Sequence, residues 1–105
     1  MKKSEIKWKN GVVTAWDIDE LDLNKSIELQ IHLLKEDLMQ VQFGNAIILD
    51  LGWYPEFDSR GQFVLSVVRA QDWENPVCQF KFHELSQFLQ YLDQAINVAG
   101  GCASD

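Results

Sequence analysis

At 105 residues the chain has room for one domain with its own core, and 47 % hydrophobic against 24 % charged residues excludes a disordered chain. The formal net charge is −7, but Lys2, Lys3, Lys7 and Lys9 all fall in the first nine positions, so residues 10–105 carry five basic against fifteen acidic residues, a net of −10. That balance argues against direct nucleic-acid binding, which needs basic phosphate contacts, and no run approaches the ~18 apolar residues of a membrane span. Met1-Lys2-Lys3 is followed by polar residues instead of a secretory core, which makes a cytoplasmic protein the expectation. Cys78 and Cys102 are accordingly expected as free thiols in a reducing compartment. One domain over 1–105 is expected, with tails fraying at about 1–4 and 99–105.

Taken in order, Ile6–Lys9, Asn10-Gly11 and Val12–Trp16 read as a hairpin, because Asn and Gly tolerate the positive φ of a type I′ turn. Asp17-Ile18-Asp19-Glu20-Leu21-Asp22 then brings four carboxylates and no base, a solvated loop or a dedicated binding loop. Asn24 can cap a helix over about Lys25–Glu36, where Ile27, Ile31 and Leu34 share a face. Ile27, Leu29, Ile31 and Leu33 also alternate at period two, so helix and strand both stay open for 25–36, and His32 reads as a surface histidine.

Leu38–Phe43 and Ala46–Leu51 flank Gly44-Asn45, which predicts an antiparallel pair with a two-residue type II′ turn. That register places Met39, Val41 and Phe43 beside Asp50, Ile48 and Ala46, and Leu38, Gln40 and Gln42 beside Leu51, Leu49 and Ile47. Both faces are then partly apolar and both need cover, while Asp50 needs hydrogen bonds or a strand-end position. The central stretch Ala46–Arg69 joins two apolar strands through Gly52-Trp53-Tyr54-Pro55 and Asp58-Ser59-Arg60-Gly61. After the Pro76 connection, Val77–Phe82 reads as a strand with Cys78, Phe80 and Phe82 inward. The last element is a helix from Glu84 to about Val98, with Leu85, Phe88, Leu89, Leu92 and Ile96 as its apolar stripe and Gly100-Gly101 as its stop. The expected fold is α+β: an antiparallel sheet of about four to six strands with two helices, the C-terminal one packed on the sheet.

Phosphate-binding glycine loops, a Gly-x-Ser-x-Gly elbow and paired Cys-x-x-Cys motifs are missing from the sequence. Cys78 and His83 stand five apart on a strand, hence on opposite faces, and carboxylate pairs such as Asp17 with Asp19 or Glu56 with Asp58 have no identifiable cleft. No enzyme, cofactor or metal is expected. What the chain concentrates is aromatic and acidic side chains in two connections, Trp53 to Asp58 and Asp72 to Glu74. Trp53, Tyr54 and Phe57 can fold inward to plug the end of the sheet. The acids can instead steer a basic partner to an aromatic contact surface. The candidate binding residues are Glu56, Asp58, Asp72, Trp73 and Glu74, with Asp17, Asp19, Glu20 and Asp22 as the alternative set.

Glu36-Asp37-Leu38-Met39-Gln40-Val41, Leu51-Gly52-Trp53-Tyr54-Pro55-Glu56-Phe57, Gly61-x-Phe63 and Asp72-Trp73-x-x-Pro76 resemble a bacterial immunity-protein family, the partners of contact-dependent growth inhibition and polymorphic toxins. The resemblance covers about Asn24 to Ile96 and leaves out the Trp8 to Trp16 segment. It implies a cytoplasmic protein that binds the C-terminal domain of a cognate toxin in a 1:1 complex. The toxin it implies is a basic nuclease, an RNase before a DNase, neutralised by an acidic surface over its active site. An acidic adaptor domain without a toxin partner is the alternative.

Overall fold

Short runs rich in β-branched and aromatic residues form five strands in the computed structural model, which describes residues 3–22 and 24–103. The strands are β1 (Gly11–Trp16), β2 (Met39–Phe43), β3 (Ile47–Tyr54), β4 (Gln62–Arg69) and β5 (Cys78–Phe82). They form one antiparallel sheet in the order β1-β2-β3-β4-β5, so every strand pairs with its sequence neighbour. An α-helix, α1 (Phe88–Ala103), follows a 3₁₀ turn at Leu85–Gln87 and packs on one face of the sheet. The expected α+β architecture is the one observed. Among the described residues, no helix is long and apolar enough to cross a membrane.

The β2–β3 register differs from the expected one. Phe43 pairs with Ile47, so the turn is Gly44-Asn45-Ala46, three residues long, with Gly44 at φ 64°. One extra turn residue reverses the facing of one strand relative to the other. Met39, Val41 and Phe43 now share a face with Leu51, Leu49 and Ile47, which continues across β4 through Phe63, Leu65 and Val67 and across β5 through Phe82, Phe80 and Cys78. This gathers most of the apolar side chains on a single face and leaves Ile48, Val64 and the buried Val68 on the other.

Helix α1 covers that face with Phe88, Leu92, Ala95, Ile96 and Ala99, preceded by Leu85, all buried. Burying the four large ones contributes on the order of 6–12 kcal/mol before entropy. Leu89, expected in the stripe, is 51 % exposed, because the helix turns the Leu85–Phe88–Leu92 line inward. Gly100 and Gly101 do not stop the helix, and residues 99–103 of the expected frayed tail are helical; positions 1, 2, 104 and 105 lie outside the described residues. The expected amino-terminal hairpin is absent. Lys9 takes φ 59° and the Gly11 amide donates to the Trp8 carbonyl, a turn that sends residues 6–9 along α1, where Lys9 Nζ donates to Asn97 Oδ1. β1 instead pairs with β2, and a bulge at Thr14 lets Val13 and Trp16, three positions apart, both face the core. Trp16 still meets Trp8, edge to face at 5.7 Å.

The β1–β2 connection is neither the helix nor the strand considered for 25–36. Ile27–Leu33 is 3₁₀, broken at Gln30 (φ −129°, ψ 26°). The buried Gln30 side chain explains the break: its Oε1 accepts from the Asp22 amide, and its Nε2 donates to the Asp22 and Lys25 carbonyls. A side chain thus bonds backbone groups of the preceding turn and the Lys25 carbonyl, in competition with a regular helix. Asn24 does not cap; its amide donates to Asp22 Oδ1, and Ser26 holds the cap position without a side-chain bond. Ile18, Leu21, Ile27, Leu34 and Leu38 from this connection join the core.

Candidate functional site: the uncovered face of the sheet

Among the described residues α1 lies on the apolar face, and the other face carries most of the polar strand residues and a few apolar ones, including Val68 at 1 % exposure. It presents Gln40 and Gln42 from β2, Ile48, Asp50 and Tyr54 from β3, Val64 and Ser66 from β4, and Gln79 and Lys81 from β5. Two basins indent this face and meet at Asp50. One, of about 340 Å³, has Tyr54, Ser66, Trp73, Gln79 and Lys81 in its wall; the other, of about 260 Å³, has Ala15, Asp37 and Gln40.

Gly52 sets the geometry of the rim. The backbone of Glu36 crosses directly over it, so a Cβ at position 52 would lie 2.0 Å from the Glu36 carbonyl oxygen. That close approach, fixed also by the Trp53 amide donating to the Lys35 carbonyl at 2.9 Å, lays Glu36 and Asp37 beside Asp50 and Tyr54. The Tyr54 hydroxyl reaches the Glu36 carbonyl at 3.4 Å. Partial burial, followed by the charges of Asp50, Glu36 and Asp37, raises the Tyr54 hydroxyl above its ordinary pKa.

Asp50 stands in the middle of β3, between Gln40 and Ser66, and not at a strand end. Half-burial and then the neighbouring Asp37 charge push its carboxyl up to about 6, against a smaller opposing hydrogen bond from Gln40. Nearby, Gln79 Nε2 donates to Ser66 Oγ at 3.0 Å. A carboxylate here is ionised at neutral pH with its charge poorly compensated, flanked by the partly exposed rings of Tyr54 (39 %) and Trp73 (49 %). Such a surface suits a cation with flat apolar faces.

The sequence-predicted residues divide between the two ends of the sheet. Glu56 and Asp58 lie in the β3–β4 loop, whereas Asp72, Trp73 and Glu74 lie in the β4–β5 loop, and the eight residues of β4 separate the two by about 23 Å at ~3.3 Å per residue. Only Trp73 joins the basin, where it shares the wall with Tyr54. Asp58 is engaged inside its own loop: Arg60 Nε and Nη2 donate to its two oxygens at 3.1 and 3.0 Å, and these bonds hold its carboxyl below the usual range. Its carbonyl accepts the Trp53 indole N–H at 2.8 Å. Asp72 accepts from Asn75 Nδ2 at 3.2 Å, and Glu56 and Glu74 are exposed.

The alternative set sits at the same end of the sheet as Glu56 and Asp58. Asp17 pairs with Lys35 at 2.7 Å, a contact that raises the lysine's pKa, and Asp22 organises the turn before Ile27. Asp19 and Glu20 are exposed. Of the aromatics, Trp53 is fully buried against Phe63 and His83, while Phe57 points outward at 53 % exposure with φ 60°. Cys78 opens β5 and His83 lies just past its end, and Cys78 and Cys102 are both unbonded thiols, the former raised in pKa by burial. Glu36, Asp37, Asp50, Ser66 and Gln79 were missed as site residues. The signal for them was the alternation Gln40, Gln42, Asp50, Ser66, Gln79, Lys81, legible as one polar face once the turn is given three residues. Comparison with protein-family models, curated proteins and solved structures found no match to this chain.

Proposed function

We propose that this protein is an immunity protein that binds and neutralises a basic toxin domain, most simply an RNase, through the uncovered sheet face. The observation that carries the reading is the acid-rimmed groove at Asp50, bordered by Glu36, Asp37, Tyr54 and Trp73, on a sheet whose other face is a complete core. Carboxylates gathered on one face attract a protein that holds phosphate with lysine and arginine, and half-exposed aromatic rings give the contact area that retains it. The net charge of −7 points the same way.

The test is coexpression with the toxin domain encoded beside this chain, scored by growth. Rescue, with a complex of about nanomolar affinity whose association slows markedly between 50 and 500 mM salt, supports the proposal. Growth arrest with no complex contradicts it and leaves an acidic adaptor as the reading.

A further inference from the structure

We propose that the groove is an arginine seat: a partner's arginine side chain enters between Tyr54 and Trp73 and sets its guanidinium against Asp50. This deepens the reading given above by naming the partner group that the same face receives.

Three observations converge. Asp50 is a half-buried anion hydrogen-bonded by Gln40, with Asp37 beside it adding repulsion, and among the described residues it makes no salt bridge. A cation arriving there removes a penalty that the free protein carries. Two aromatic rings border the same basin, and a guanidinium stacks on aromatic faces and is less strongly hydrated than an ammonium, which favours arginine over lysine. Acceptors also converge: the two oxygens of the Asp50 carboxylate and the Ser66 hydroxyl, both in the wall of the basin, can take several of the five guanidinium protons.

The charged groups facing Asp50 set the sign of the field. Glu36 and Asp37 come from the β1–β2 connection, and Lys81 comes from β5, two strands away and exposed. The carboxylates outnumber the lysine, and the β3 side of the basin is the negative one. A guanidinium and a proton therefore compete for Asp50, and binding strengthens as pH rises through about 6.

The probe is N-acetyl-Gly-Arg-Gly-amide, titrated into the full-length ¹⁵N-labelled chain, with lysine and citrulline versions of the same peptide alongside. At pH 7.5 the arginine peptide should give saturable shifts of the Trp73 indole N–H and the Gln40 and Gln79 side-chain amides. Affinity should fall about tenfold at pH 5, where about a tenth of Asp50 is ionised. Asp50→Asn should abolish these shifts, whereas Asp58→Asn and Glu74→Gln should leave them in place. Equal shifts with citrulline, tighter binding of the lysine peptide, or wild-type shifts that ignore pH would each overturn the assignment. No toxin takes part in this titration. Its failure leaves the immunity reading standing, and a toxin that does not bind leaves the arginine seat standing.

Discussion

Replacing Asp50 by asparagine should stabilise this protein at neutral pH and do almost nothing in acid. The folded carboxyl is pushed from 3.8 to about 6, chiefly by burial and next by Asp37. A carboxyl whose pKa is higher folded than unfolded favours the fold fully below about 3.8 and loses that contribution as pH rises through about 6. The gap corresponds to about 3 kcal/mol at 1.36 kcal/mol per decade, and solvent reaching the open groove brings the working figure to about 1–3 kcal/mol. Asparagine keeps the shape of the neutral acid and can still accept the Gln40 hydrogen bond. Urea unfolding at pH 4 should find the two chains equal within about 0.5 kcal/mol; at pH 7.5 the variant should lead by about 1–3 kcal/mol. A difference that stays constant with pH, or a variant less stable at pH 7.5, would refute the argument that Asp50 is an anion held against the interest of the fold. Retaining such a charge makes physical sense where a partner's cation neutralises it.

Further outcomes follow from the packing. Leu92→Ala should cost about 2–5 kcal/mol, while Leu89→Ala one turn away should stay within about 0.5 kcal/mol by thermal or urea unfolding. Gly52→Ala forces a methyl onto the Glu36 backbone and should destabilise by more than about 3 kcal/mol, or shift the Lys35–Asp37 segment and with it the Tyr54 resonances. Ala70→Gly and Gln71→Gly, at φ 54° and 60°, should each raise stability by about 0.5–1 kcal/mol, because glycine takes a left-handed backbone without the Cβ conflict. Iodoacetamide should alkylate Cys78 more slowly than a free thiol at pH 8, since burial raises its pKa and narrows access.

The strands and the final helix were legible because their apolar periods are long and unambiguous. Facing was harder to read. The β2–β3 turn could hold two residues or three, and that single count decided whether Asp50 stood among core side chains or on an open polar surface. The pattern Met39-Gln40-Val41-Gln42-Phe43 contained the answer, since only the three-residue turn joins its apolar positions to Leu49 and Leu51. The segment 25–36 was illegible for another reason. Its conformation depends on Gln30 bonding to backbone eight residues earlier, a contact no local period encodes. The acidic loops were visible as composition, but sequence distance does not reveal that β4 holds Asp58 and Asp72 at opposite ends of the sheet.

Calorimetric titration of the proposed toxin partner against charge-reversed variants reaches the central claim most directly. Glu36→Lys with Asp37→Lys, on the rim of the open face, should weaken the complex at least a hundredfold, whereas Asp93→Lys on the exposed side of α1 should change affinity by no more than about twofold. Loss of binding with Asp93→Lys, and unchanged binding with the rim pair reversed, would place the interface on the helix and contradict the account.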